Sequence, residues 1–137
     1  MLNVEIDGKV YNIKFGYEPV LKERIISKMS KIGSLFEGDD VSAEAMEDAM
    51  LFIPEIFLVG LQVSHPEFRY DYDTKAGKEA KLAKVYELMD GYLTNGGDMF
   101  KLFADMQNEM VNDSFLSSLL RKGMAAEKAE NASIQQN

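Results

Sequence analysis

Few residues in this chain have the types and spacing that metal binding requires. Residues 71–74 begin like a calcium-binding loop, with Asp71 and Asp73 at alternate positions. Such a loop continues with an acidic or amide ligand at its fifth position and glycine at its sixth. Lys75 and Ala76 occupy those two positions. We therefore interpret the segment as a solvated acidic turn.

Residues that could support catalysis are equally sparse. The single histidine, His65, precedes Pro66 at a predicted helix end and has no nucleophile with a defining motif beside it. Cysteine is absent, which excludes disulfides, Cys-ligated zinc and thiol nucleophiles. No GxSxG, HExxH or P-loop motif occurs. We expect no enzymatic activity and no cofactor or metal, and we interpret His65 as a structural or surface residue.

The charge balance narrows the possible partners. The chain has 137 residues, with 23 acidic and 15 basic side chains and a net charge of −8. A chain this acidic repels nucleic acid backbones and anionic membrane surfaces. The most apolar stretch, residues 49–61, is shorter than the roughly 20 residues of a membrane span. We expect one soluble domain in a reducing cytoplasm, with no signal peptide and neither nucleic acid nor membrane as partner.

The N-terminal residues predict a β-hairpin. Apolar and polar residues alternate over residues 2–15, and Asp7-Gly8 in the middle is typical of a two-residue hairpin turn. The strands are predicted at about 2–6 and 9–15. A lone hairpin is marginally stable in water, so one face should pack on helices or one edge should pair with another strand.

Apolar spacing after the hairpin predicts four helices and an α+β fold that is predominantly α. The helices are expected at about 19–33, 43–63, 78–93 and 99–122, and Pro54 should kink or split the second. We predict a single helical domain over residues 1–122 and a flexible polar tail over 123–137. The side chains expected to be buried are Leu21, Ile25, Ile53, Phe57, Val85, Met89, Phe103 and Leu116.

Apolar residues of the second and fourth helices exceed what one core face needs. The apolar residues 50–53 and 56–59 leave the second helix without a polar side, so it is buried all round or faces a partner. The fourth helix has a stripe of Met99, Phe103, Met106 and Met110, and a second stripe through residues 111, 115 and 119. Methionine recurs at surfaces that bind varied apolar targets, but these methionines are equally compatible with a core.

Charged residues are segregated along the chain. No Lys or Arg occurs between Ile32 and Phe68, whereas lysines recur at every third position from Lys75. Two solvated faces would explain this pattern, and so would head-to-tail contact between copies. The second interpretation predicts a homo-oligomer whose self-association residues are Asp39, Asp40 and Glu44 on one side and Lys75, Lys78 and Lys81 on the other.

The opening residues also resemble a known family. Residues 2–11, LNVEIDGKVY, followed by IKFG at 13–16, resemble the start of tail assembly chaperones from long-tailed phages of Gram-positive bacteria. The segments YDYDT at 70–74 and YELMD at 86–90 are also similar to that family. The resemblance covers roughly residues 1–122.

This resemblance implies a chaperone made in the host cytoplasm and absent from the finished virion. Such proteins coat the long, apolar tape measure protein until tail tube subunits polymerise around it. Some also exist in a longer, frameshifted form whose extension recruits the tail tube protein.

Together with the apolar pattern, the resemblance suggests a partner-binding surface. Its residues are Met46, Met50, Phe57, Met99, Phe103, Met106 and Met110. The alternative is a generic homo-oligomeric adaptor or scaffold whose apolar helix is buried in a self-interface. An enzyme with an undeclared acidic site is the third class.

Overall fold

The N-terminal hairpin forms as predicted, with a shorter second strand. The computed structural model describes residues 2–35 and 42–119. Strand β1 (Leu2–Ile6) pairs antiparallel with β2 (Lys9–Ile13). Asp7 and Gly8 both have positive φ, 52° and 80°, as a type I′ turn requires at its two central positions. The hairpin buries alternate side chains against the helices: Val4, Ile6, Tyr11 and Ile13.

The first predicted helix is two helices. Helix α1 (Tyr17–Lys22) is separated from α2 (Ile25–Leu35) by a turn in which Arg24 has φ of 51°. Because the turn breaks the helical register, Leu21 does not share a face with Ile25. Leu21 is 61% exposed and Val20 is buried in its place. The prediction that Leu21 is buried was wrong for this reason.

Helix α3 (Ala43–Leu61) is the centre of the fold. It begins at Ser42, whose hydroxyl accepts the N–H of Ala45, and this capping satisfies one of the free donors of the first turn. Pro54 does not split the helix. The C-terminal half of α3 is surrounded by β2, α2, α4 and α5. Every residue from 53 to 61 except Glu55 is buried.

The rest of the described chain completes the layer around α3. A 3₁₀-helix (Pro66–Phe68) leads into a loop, helix α4 (Lys75–Thr94) and helix α5 (Met99–Asp113). Helix α4 begins three residues earlier than predicted. Helix α5 ends well before the predicted position 122, at Ser114, whose hydroxyl donates to the Met110 carbonyl and accepts the N–H of Leu116. This side chain competes with the helical hydrogen bonds.

Apart from Leu21, the side chains that were predicted to be buried are buried. Ile25, Ile53, Phe57, Val85, Met89, Phe103 and Leu116 are all buried. The predicted polar tail, residues 123–137, lies outside the described residues.

Hydrogen bonds fix the hairpin to the helices at three places. The Lys14 N–H donates to the Gly60 carbonyl at 2.9 Å, and the Asn95 amide donates to the Asp7 carboxylate at 2.7 Å. The Asn12 N–H donates to Nε2 of His65 at 3.0 Å, so the proton of neutral His65 lies on Nδ1. His65 is a structural residue that joins the end of α3 to β2.

Candidate functional site

Four of the seven predicted partner-binding residues are in the core. Phe57, Phe103, Met106 and Met110 all belong to the buried hydrophobic core, to which α3 and α5 both contribute. They are brought together, but they are not accessible to a partner in this structure. Their helical spacing reflects core packing, which was predicted for Phe57 and Phe103, whereas an accessible surface at Met106 and Met110 is contradicted by their burial.

The other three predicted partner-binding residues lie apart from these four core residues. Met46 and Met50 are exposed on the N-terminal half of α3, next to exposed Leu51, and Met99 is half-buried at the start of α5. Along α3, Met50 is about 10 Å from Phe57, at a rise of 1.5 Å per residue. The seven residues therefore do not form one continuous surface.

The predicted self-association residues are also divided. Asp39 and Asp40 lie outside the described residues. Glu44 is exposed in the first turn of α3, and Lys75 is exposed at the start of α4, with its Nζ 3.9 Å from the Glu79 carboxylate. Lys81 is half-buried.

Lys78 has partners within its own chain. It forms an ion pair with Glu23, and its Nζ lies 3.7 Å from Glu55. Lys28 pairs with the same Glu55 and lies 3.8 Å from Glu23. These four side chains connect the turn after α1 with α2, α3 and α4, and they are mostly buried. Lys78 is thus a structural residue, which corrects its assignment to a contact between copies.

An apolar groove lies where the sequence predicted none. It has a volume of about 440 Å³ between α1, the start of α2 and residues 115–119. Five exposed apolar side chains line its walls: Tyr17, Leu21, Ile26, Phe115 and Leu119. The rings of Tyr17 and Phe115 meet across it at 5.3 Å between centroids. We call these five residues the apolar groove.

One sequence signal could have located this groove. The second stripe through Phe115 and Leu119 needs a neighbour of its own, and the described core does not fully cover it. Leu21 was assigned to the core because its spacing to Ile25 fits one continuous helix. Only the turn at Arg24 places Leu21 opposite Leu119.

A second surface feature is a cleft with basic walls. Its cavity of about 500 Å³ is lined by five basic and two acidic side chains, together with Tyr70 and Tyr72. An adjoining cavity of about 350 Å³ shares both tyrosines and reaches Gln62 at the end of α3. We call the two cavities together the tyrosine cleft. In a chain with a net charge of −8, a mainly basic surface is the exception.

Both tyrosines of this cleft are kept in the neutral form. Burial raises the pKa of Tyr72 to about 12, and the nearby carboxylates of Glu18 and Glu23 act in the same direction. Burial and then the charge of Glu23 raise the pKa of Tyr70 still further. Each hydroxyl therefore keeps its proton over the whole physiological pH range.

The raised pKa of Tyr72 predicts a measurable alkaline transition. Subtracting the tyrosinate absorbance of Tyr72→Phe from that of the wild type should leave a titration with a midpoint near 12. Because the unfolded pKa is about 10, the unfolded chain loses this proton first. The contribution of Tyr72 to the free energy of unfolding should therefore be constant below about pH 10 and fall above it, so the alkaline loss of stability should be less steep in Tyr72→Phe. A difference midpoint near 10 would contradict the burial of Tyr72.

The described residues contain no arrangement suited to a metal ion or a membrane span. Within residues 2–35 and 42–119, no three His, Asp or Glu side chains are close enough to hold a metal. The Asp71 carboxylate instead accepts the N–H of Asp73 at 2.9 Å. No helix of the same ranges is both long and apolar enough to cross a bilayer.

Comparison with known proteins gives no family for this chain. No family model, no curated protein and no solved structure matches it.

Proposed function

We propose that this chain is a non-enzymatic phage tail assembly chaperone that holds apolar helices of the tape measure protein during tail morphogenesis. The observation that carries the proposal is the apolar groove, with exposed fractions of 61% for Leu21 and 66% for Leu119. The resemblance of residues 1–122 to that family supplies the identity of the client. The proposal includes the host cytoplasm as the site of action and absence from the mature virion.

The groove presents exposed apolar side chains of the kind that bind the apolar face of an amphipathic helix. Tyr17 and Leu21 lie one helical turn apart on α1, and Phe115 and Leu119, which follow the end of α5, line the same groove. A helix that enters such a groove places side chains at positions i, i+3 or i+4, and i+7 against these residues. Apolar burial then supplies the affinity.

Charge favours a basic client segment. The net charge of the chain is −8, and Arg24, the charged residue that lines the groove, opposes the attraction of a basic client only at the groove itself. Long-range attraction steers oppositely charged partners together and accelerates their association. We therefore expect the bound helices of the tape measure protein to carry Lys or Arg on their polar faces.

The test is co-expression with a tape measure protein, measured as client solubility and co-purification. The wild-type chain should keep the client soluble. The variants Leu21→Asp and Leu119→Asp should each reduce the amount of co-purified client by about tenfold or more, because each places a charge in the apolar groove. Both side chains are exposed, so the variants should remain folded. Leu93→Asp, on an exposed apolar residue of α4 outside the groove, is the matched control.

Two outcomes would contradict the proposal. Either the wild type leaves the client insoluble, or the groove variants bind it as well as Leu93→Asp does. Circular dichroism of each variant confirms that a loss of binding is not a loss of fold.

One observation favours the alternative function, a homo-oligomeric adaptor or scaffold. Met46, Met50 and Leu51 are exposed together at one end of α3, as expected for a self-interface. On that hypothesis Met50→Asp should turn an oligomer into a monomer in the absence of any client. The chaperone proposal expects no such change. If a longer form of the chain is made, that proposal assigns the contact with the tail tube protein to the extension after Gly123.

A further inference from the structure

The loop between α4 and α5 contains the pair of residues at which a protein chain most readily loses an amide group. Asn95 is followed by Gly96, and no other asparagine of the sequence precedes a glycine. Both residues are exposed. Because glycine has no side chain to hinder the approach of its own nitrogen, the Gly96 nitrogen can attack the side-chain amide carbon of Asn95.

This deamidation needs water as its only co-reactant. The Gly96 nitrogen forms a bond to Cγ of Asn95, and its proton leaves with the side-chain nitrogen as ammonia. One water molecule then opens the resulting five-membered succinimide ring. The product has a carboxylate at position 95, either as aspartate or as isoaspartate, in which the main chain runs through the former side chain.

The fold holds Asn95 in a state that does not react. Its side-chain amide donates to the Asp7 carboxylate at 2.7 Å, and the Gly96 N–H donates to the Leu93 carbonyl at 3.1 Å. The ψ angle of Asn95 is 16°, and it must rotate before the Gly96 nitrogen can reach Cγ. Ring closure therefore requires the loop to open and to release both hydrogen bonds.

The product would be unfavourable in the same place. Nδ2 of Asn95 lies 2.7 Å from Oδ1 of Asp7, so deamidation would put two carboxylates at this contact, and like charges repel. Asp7 cannot shift towards α4, because its Oδ2 lies 2.7 Å from the position that a Cβ of Gly91 would take. The reaction would thus replace an attraction between the hairpin and α4 with a repulsion.

We propose that Asn95 is a deamidation site that the docked hairpin protects, and that the carboxylate formed there weakens the contact that had protected it. Opening of the loop starts the reaction, and the loss of ammonia makes the change permanent. A chain that has opened for long enough therefore keeps a chemical record of it. This inference goes beyond the chaperone function, since it uses neither the apolar groove nor a client.

Peptide mapping by mass spectrometry measures deamidation of Asn95 in the purified full chain at mildly alkaline pH. The folded wild type should react at least about tenfold more slowly than the urea-unfolded chain, because only the open loop reacts. Asp7→Gly should react several-fold faster than the wild type while folded, since it removes the acceptor and glycine tolerates the positive φ of the turn. Glu5→Gln makes the same change in net charge on β1, leaves the Asp7 carboxylate in place, and should react like the wild type.

A second experiment tests the effect of the product and does not depend on the folding of Asp7→Gly. Asn95→Asp introduces the carboxylate, whereas Asn95→Ala only removes the hydrogen bond. Hydrogen exchange of the Lys14 N–H, which donates to the Gly60 carbonyl, reports whether the hairpin is docked. Exchange should be about two- to fivefold faster in Asn95→Asp than in Asn95→Ala, the range expected for one exposed charge pair.

Three results would overturn the inference. They are equal rates of Asn95 deamidation in the folded and unfolded wild type, a folded Asp7→Gly variant that reacts no faster than Glu5→Gln, and equal Lys14 exchange in Asn95→Asp and Asn95→Ala. Circular dichroism establishes which variants are folded. Neither experiment involves the apolar groove, so failure here leaves client binding untouched, and loss of client binding in the groove variants leaves this inference intact.

Discussion

Replacing Met106 with Asp should unfold the protein. The Met106 side chain is 0% exposed and belongs to the buried hydrophobic core, to which α3 and α5 both contribute. A carboxylate there would be buried without a partner, which costs several kcal/mol. The total free energy of unfolding of a domain this size is about 5–15 kcal/mol. We expect a loss of more than about 4 kcal/mol in urea unfolding followed by circular dichroism.

Met50→Asp is the matched control for this prediction. It introduces the same charge on a side chain that is 53% exposed, and surface substitutions of this kind usually change stability by less than about 0.5 kcal/mol. A Met106→Asp variant as stable as Met50→Asp would show that the stripe on α5 is not in the core. The prediction from the sequence that Met106 and Met110 bind a partner would then hold.

Gly60→Ala should destabilise the contact between β2 and α3. A Cβ atom at position 60 would lie 2.6 Å from Cγ2 of Ile13 and 3.4 Å from the ring of Phe15. Both neighbours are buried, and the Gly60 carbonyl is held by the Lys14 N–H. Because neither side can move away freely, we expect a loss of about 1–3 kcal/mol in the free energy of unfolding.

Gly33→Ala is the control that distinguishes the effect of close packing at Gly60 from the effect of helix propensity. No atom lies within 4 Å of a Cβ built at Gly33, so the substitution should show only the gain of replacing glycine inside a helix, up to about 1 kcal/mol. Equal stability changes at the two positions would mean that the hairpin does not pack closely on α3.

Much of the architecture could be predicted from local patterns. Asp7-Gly8 determines the turn, and the alternation around it determines which side chains of the hairpin are buried. Of the apolar residues that were predicted to be buried all round or to face a partner, those from Ile56 to Val59 are buried, whereas Met50 and Leu51 are exposed. The turn and the buried face of the hairpin depend on residues close in sequence, which is why composition and spacing were sufficient there.

The accessible surfaces could not be predicted in the same way. Helical spacing predicts that Leu21 and Ile25 share a face. Nothing in that spacing indicates that Arg24 adopts a left-handed conformation between them. Spacing also cannot distinguish a methionine stripe that faces α3 from one that faces solvent. Lys78 looked free because its partners, Glu23 and Glu55, are 55 and 23 positions away in the chain.

The hydrogen bond between Asp7 and Asn95 has a consequence for synthesis on the ribosome. It joins residues 88 positions apart, and β1 also contacts α5. The hairpin is made first, yet the apolar face of β1 stays uncovered until α4 and α5 have emerged. Because such distant contacts form late, the chain should remain protease-sensitive through most of its translation. Protection should then arise in a single step once Met110 has left the exit tunnel.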